Sequence, residues 1–186
     1  MSKRLLAIFA LLMVASMVLS ACGPSAPAFE CTDAIGCLEI GPDEPVHLAY
    51  MLTISGATTY LGEDSKGGID IAIDDRGGEL LGHAISLTGE DSGCNAEGGQ
   101  TAATKVASDP TIVGVIGTNC SSAATAAIDT ISDACLVMIS SSNTAPALTI
   151  EGQTWKPGYY RTCHTDLFQG AVAAEFAYNE LGARTT

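Results

Sequence analysis

Residues 111–146 read TIVGVIGTNCSSAATAAIDTISDACLVMISSSNTAP, and the order of elements in this stretch decides the fold. The β-branched apolar run at 111–116 predicts a buried strand, which Gly117 ends. Ala124, Ala127, Ile128 and Ile131 then recur on one face of a helix built from small residues over 122–133. Residues 136–139 return to an apolar strand pattern. Strand, helix and strand joined by short turns form a βαβ unit, whose two strands run parallel.

Working outward, the same alternation continues on both sides. Upstream, residues 46–53 predict a strand, 63–76 a helix, 83–88 a strand and 96–108 a helix. The helix over 63–76 places Ile69, Ala72 and Ile73 inward and stops at Gly77-Gly78. Its segment 69–71 also alternates like a strand, so periodicity alone leaves that element open. Downstream, 159–161 predicts a strand. Leu167, Ala171, Ala174, Tyr178 and Leu181 then fall at helical spacing, with Asp166 as N-cap and Gly182 after the last turn. The expected class is α/β with a doubly wound parallel sheet.

Composition narrows the partners. The chain has 186 residues, the size of one ordinary domain, with 8 Lys+Arg against 21 Asp+Glu and a net charge of −13. That balance offers no basic footprint for phosphates, so nucleic acid is not an expected partner. Apolar residues make up 47% and mean hydropathy is +0.28, enough to bury a core. Twenty glycines and 5% aromatics point to a turn-rich fold and exclude collagen and coiled coils.

The N-terminus carries an address. Lys3 and Arg4 precede an apolar run over 5–20 that reads as an export signal. A membrane-anchor helix is the competing reading, because about 20 apolar residues span a bilayer. Leu19-Ser20-Ala21-Cys22 resembles the bacterial lipobox, which implies cleavage before Cys22 and acylation of that residue. Acyl chains at about 0.8 kcal/mol per buried methylene would hold the protein to a membrane on the extracytoplasmic side of the cell envelope. Residues 1–21 are thus expected as signal peptide. Residues 22–44 are expected as a lipidated tether, interrupted by Pro24, Pro27, Gly41 and Pro42.

Cys31, Cys37, Cys94, Cys120, Cys135 and Cys163 remain, an even set that invites disulfides in an oxidising compartment. Cys31 and Cys37 lie in a Pro/Gly-rich stretch where a small loop closes easily. Zinc is the rival for spaced cysteines, but no C-x-x-C occurs, and only His164 neighbours a cysteine; no metal site is expected. Cys135 is expected to be a buried apolar thiol. Its distance from Cys163, about 13 Å along the strands, is too long for a disulfide.

In a doubly wound sheet, ligands lie beyond the carboxyl ends of the strands. The loops to inspect are 53–62, 89–94, 118–122 and 140–146. Residues 117–122 place hydroxyls at a helix N-terminus, where free N–H groups and the helix dipole favour an anion. Plain N-capping by Ser121 or Ser122 accounts for the same residues. Residues 140–146 add a second hydroxyl-rich loop at the neighbouring strand end, and the pair favours a small polar ligand over capping alone. A different class is a thiol-dependent racemase or hydrolase using Cys120. G-x-S-x-G and G-x-G-x-x-G are both absent, so no enzyme and no cofactor is expected. Counting free thiols separates the readings, because the enzyme needs Cys120 reduced.

Taken in order, several pieces resemble one family. They are Ser55-Gly56 with Leu61-Gly62, Gly77-Gly78, Asp91-x-x-Cys94, and Val115-Ile116-Gly117-x-x-Cys120-Ser121-Ser122. Met138-Ile139-Ser140, Asn143-Thr144-Ala145-Pro146-x-Leu148-Thr149, and Arg161-Thr162 before Gln169-Gly170 follow. The chain resembles the solute-binding lipoproteins of branched-chain amino acid ABC importers, of the type I periplasmic-binding fold.

The resemblance implies a clamshell of two α/β lobes, with residues 45–165 as the first. Residues 166–186 would be the crossover and first helix of a second lobe that is otherwise missing. It implies a Cys94–Cys120 disulfide, and an α-carboxylate held by Ser121 and Thr144. An α-ammonium would be received by carbonyl and hydroxyl groups around positions 142 and 144. The implied ligand set is Leu61, Ser121, Ser122, Ser142, Asn143 and Thr144. Two departures bear on the ligand: Leu61 stands where relatives often carry an aromatic, and Ser142-Asn143 replace a small apolar pair. The expected function is to bind a branched-chain or related amino acid and deliver it to ABC permease subunits. Receptors or sensors for amides, urea or other small solutes share the scaffold. Half a pocket and an exposed apolar helix imply weak ligand binding and poor solubility for these 186 residues.

Overall fold

A computed structural model describes residues 29–33 and 36–185. The export signal, the lipobox with Cys22 and the start of the tether lie outside the described residues. The chain divides into two compact units, residues 1–32 and 33–186. In the first, the described residues carry no helix or strand.

The second unit alternates strands and helices. They run β1 (Val46–Leu52), α1 (Tyr60–Asp75), β2 (Glu79–Leu80), β3 (His83–Asp91), α2 (Ala96–Ala107), β4 (Ile112–Gly117), α3 (Ser121–Asp133), β5 (Val137–Ser140), a 3-10 turn (Pro146–Thr149), β6 (Tyr159–Arg161) and α4 (Asp166–Asn179). The six strands form one sheet in the order β2-β3-β1-β4-β5-β6. Every pairing is parallel except the short β2–β3 hairpin. The chain leaves β1 toward β3 and comes back across it to β4, so strand order reverses between β1 and β4. That is the doubly wound switch point.

The core forms where α2 and α3 pack. Ala102, Ala103 and Val106 of α2 and Ala124, Ala127, Ile128 and Ile131 of α3 share one buried cluster with Ala49, Met51, Val115, Met138 and Tyr159. Small residues let the two helices approach until backbone meets backbone. A Cβ placed on Gly99 would stand 2.4 Å from the Ala123 carbonyl oxygen and 2.6 Å from its Cα.

Three local expectations are corrected. The first helix starts at Tyr60, not at residue 63, because the backbone turns at 56–59 already bond in helical fashion. On its inner face Ile69 is buried, but Ala72 is exposed. Cys135 is exposed, not buried. It occupies the left-handed position that ends α3 (φ 58°), in a closure where Cys135 N–H reaches Ser132 O and Leu136 N–H reaches Ile131 O. This turn, usually given to glycine, swings the side chain away from the sheet. Periodicity predicts direction only inside an element, so it missed the swing.

α4 also departs from its pattern. Its apolar side chains are at helical spacing, yet none of its residues is buried. Phe168, Val172, Ala173 and Phe176, with His164 and Gln169, line an open apolar hollow of about 740 Å³.

Gly99→Ala is expected to lower the unfolding free energy by about 1–3 kcal/mol, since neither helix can yield backbone room. Gly68→Ala, on the exposed side of α1 where an added Cβ meets nothing, is expected to raise it by about 0.5–1 kcal/mol. Urea denaturation of both variants checks the pair.

Candidate functional site

Because the sheet is parallel, Leu52, Asp91, Gly117, Ser140 and Arg161 all end at one edge, and the loops that follow them gather there. α1 begins directly on the end of β1. A Cβ on Gly62 would lie 2.0 Å from Thr53 O, so only glycine lets Leu61 sit this low.

The gap at the switch point is filled by Asn119, a buried side chain. Its Oδ1 accepts from Thr53 N–H at 2.9 Å. Its Nδ2 donates to Leu61 O at 3.2 Å and to Ser65 Oγ at 2.8 Å. Its backbone oxygen accepts from Ser142 Oγ at 3.0 Å. A buried amide must satisfy its donors and acceptor, and here the side chain does so by joining the end of β1 to the start of α1, while the Ser142 loop is held through the backbone oxygen.

Next to it, Ser140 Oγ donates to Thr118 O at 2.7 Å and accepts from the backbone N–H groups of Ser142 (3.2 Å) and Asn143 (2.9 Å). Arg161 then clasps the loop from outside. Its Nη1 donates to Asn143 O (3.0 Å) and Ala145 O (2.9 Å), and its Nη2 donates to Thr149 Oγ1.

Asp91 holds the loop after β1. Its carboxylate accepts from Ser55 Oγ, from Ile54 N–H at 3.1 Å and from Gly93 N–H at 2.8 Å. Partial burial pushes this carboxyl upward. The hydrogen bonds from Ser55, Gly93 and Ile54 outweigh that push and hold it below its ordinary 3.8. On the far side, a Cys94–Cys120 disulfide with Cα atoms 5.1 Å apart ties the start of α2 to the start of α3. Ser122 Oγ donates to Cys94 O across the same seam at 3.2 Å. The bridge spans 26 residues, a loop for which chain entropy assigns about 3–4 kcal/mol. Cys31 and Cys37 are also disulfide-bonded, and Cys135 and Cys163 are free.

The expected site residues separate into two groups. Leu61, Ser121 and Thr144 are partly exposed at this edge, and Ser122 and Ser142 are exposed. Ser121 Oγ accepts from Ala145 N–H at 3.2 Å, bringing the two hydroxyl-rich loops together. The hydroxyls of Ser122 and Ser142 are spent on Cys94 O and Asn119 O. Asn143 lies beneath the loop, fully buried, with Nδ2 donating to Thr118 Oγ1 (3.2 Å) and Tyr159 Oη (3.1 Å). Its side chain supports the loop from below and is not on the open face.

Residue reading left Asn119, Asp91 and Arg161 without a role. Asp91 and Arg161 stood among the matched pieces, and Asn119 in the hydroxyl loop. The available signal was position alone: Asp91 and Arg161 close strands, and Asn119 stands two residues after one. Among the described residues no group of three or more His, Cys, Asp or Glu is placed to hold a metal ion.

A doubly wound sheet with hydroxyl-rich loops and a free helix N-terminus at its carboxyl edge defines the lobe of a type I solute-binding protein. The chain belongs to the periplasmic binding protein family, whose model matches residues 45–186. A search of curated proteins returned no match. Among solved structures, a leucine-binding protein from Thermotoga maritima is similar at 28% identity and TM-score 0.67, over 74% of this chain and 38% of that one. A branched-chain amino acid transporter substrate-binding protein from Streptococcus pneumoniae, in complex with isoleucine, is similar at 22% and 0.68, over 75% and 40%. An ABC transporter solute-binding protein from R. palustris in complex with benzoate is similar at 23% and 0.67, over 75% and 38%. The chain thus spans about two-fifths of their length. These relatives bind solutes and are not enzymes, and the family places the chain on the extracytoplasmic side.

Asp91 is bound more tightly as a carboxylate in the folded chain, so its stabilisation is complete above the ordinary value and is lost as pH falls below it. Asp91→Asn is expected to be less stable than the parent at pH 7 and to lose less on acidification below about pH 4. Thermal melts of both proteins from pH 7 to pH 2.5 check this; parallel curves would contradict it.

Proposed function

We propose that this chain carries the first lobe of an ABC-importer receptor for a small carboxylate-bearing solute, a branched-chain or related amino acid foremost. The observation that carries the proposal is the open N-terminus of α3. The N–H groups of Ser121 and Ser122 precede any intrahelical partner, and Ser121 and Thr144 sit beside them. Such a terminus favours a carboxylate through the dipole and through donors that folding leaves unused. Leucine, isoleucine and benzoate, named with the three similar proteins, have a carboxylate in common, whereas the α-ammonium and the aliphatic side chain belong to the first two alone.

In this reading Ser121 and Thr144 hold the carboxylate, Leu61 presents apolar surface to the side chain, and the carbonyls near 142 and 144 receive an ammonium. Residues 45–165 make up the lobe, and residues 166–186 lead into its counterpart. Closure of two lobes on the solute would mark the receptor as loaded for its permease, a hinge motion biased by the ligand. The lipid on Cys22 would keep it at the membrane.

Two measurements test this. In amide NMR, millimolar L-leucine is expected to shift the signals of residues 120–122 and 144, and Thr144→Val is expected to abolish the shifts. Benzoate moving the same amides while L-leucine does not would favour an aromatic acid as solute, and no response to either overturns the site. Separately, bacteria expressing the chain with an alkyne-tagged fatty acid are expected to label it, and Cys22→Ala is expected to remove the label; a labelled Cys22→Ala protein overturns the anchor.

A further inference from the structure

The crevice between β1 and β4, where strand order reverses, is the place a ligand would enter most deeply. Here it is closed by one side chain. Asn119 has both carboxamide N–H donors and its carboxamide oxygen engaged: Thr53 N–H on Oδ1, and Leu61 O and Ser65 Oγ on Nδ2. Its backbone oxygen takes the Ser142 hydroxyl. Those partners belong to the end of β1, the first two turns of α1 and the loop after β5. Asn119 itself stands two residues before Ser121, the first residue of α3. Three of the four contacts are side-chain bonds at 2.8–3.2 Å. They are made by a group with 6% of its surface exposed, where an unmatched donor or acceptor would be costly.

We propose that Asn119 is the positioning residue of the solute seat: it couples the Leu61 turn, the α3 N-terminus and the Ser142–Thr144 loop so that they move as one body. The inference rests on the receptor reading for its purpose, but the coupling itself is a property of the empty lobe. It also sets the depth of the seat. With the crevice filled by a satisfied amide, a solute rests above Asn119, against Leu61, Ser121 and Thr144, and meets no free polar group below them.

Coupling differs from local support in its reach. If Asn119 served only as a local prop, removing one of its bonds would disturb the group on that bond and nothing else. If it couples, loosening one end is felt at the others. Ser65→Ala makes the distinction, because it removes one acceptor of Nδ2 at a partly exposed position and leaves Asn119 in place.

The test is amide hydrogen exchange on the ligand-free 186-residue chain. In Ser65→Ala, exchange is expected to quicken about fivefold at residues 62–63, at Thr53 and at residues 142–143. The core amides of Val106, Val115 and Ile131 are expected to keep the parent's rates. Asn119→Ala should produce the same pattern more strongly. Asn119→Asp, which keeps the acceptor for Thr53 and loses the donors to Leu61 and Ser65, should restore protection at Thr53 only. Faster exchange confined to residues 62–65 in Ser65→Ala, or the same increase throughout the core, overturns the proposal. If Asn119→Ala fails to fold, the Ser65→Ala pattern decides alone. None of these readouts uses a solute, so a chain that exchanges as expected and binds no carboxylate separates a correct coupling from a wrong receptor reading.

Discussion

The close approach of α2 to α3 is the constraint on which the carboxyl edge of the sheet depends. Gly99 against the backbone of Ala123 brings the helices to a separation that no side chain at that point would permit. At this separation the start of α3 lies within reach of the start of α2, so Cys94 and Cys120 can bridge and Ser122 can bond Cys94 O. A helix start fixed in this way has a fixed dipole. The N–H groups of α3 therefore point into the loop cluster as a property of helix packing, independent of any ligand.

The remaining loops are held by polar groups, each bearing on a different joint. Asp91 fixes the turn after β1, Arg161 the descent after β5, and Asn119 the crossing between β1 and β4. Their hydrogen bonds are mostly side chain to backbone, which suits loops whose backbone groups have no strand partner. The result is a candidate site with a well-bonded frame, at whose open face Thr144 stands beside Ser121, the Oγ of which accepts from Ala145 N–H.

Much of this could be read from residues in order. The apolar runs at 46–52, 112–117 and 137–140 mark the strands of a parallel sheet, although one face is more deeply buried than the other and Ile139 is exposed, and the Ala-rich face of α3 predicted the surface it buries. The loops 118–122 and 140–146 followed from strand polarity, and the family resemblance assigned their hydroxyls. What stayed hidden involved direction or long-range pairing. Asn143 looks like any loop asparagine until Tyr159, 16 residues on, is found bonded to it. Asn119 looks like a turn residue, since its partners Thr53, Leu61 and Ser65 are more than fifty positions away. Cys135 looked buried because periodicity does not register the left-handed residue at which α3 ends.

The buried position of Asn143 has a thermodynamic consequence. Its amide bonds Tyr159 Oη and Thr118 Oγ1, and its backbone N–H bonds Ser140 Oγ, which in turn bonds Thr118 O, so the layer beneath the loop is tied together by its own groups. The surface above it is thereby ordered when the chain folds. In the receptor reading, a solute resting there meets a smaller reordering cost than it would on a loosely held loop.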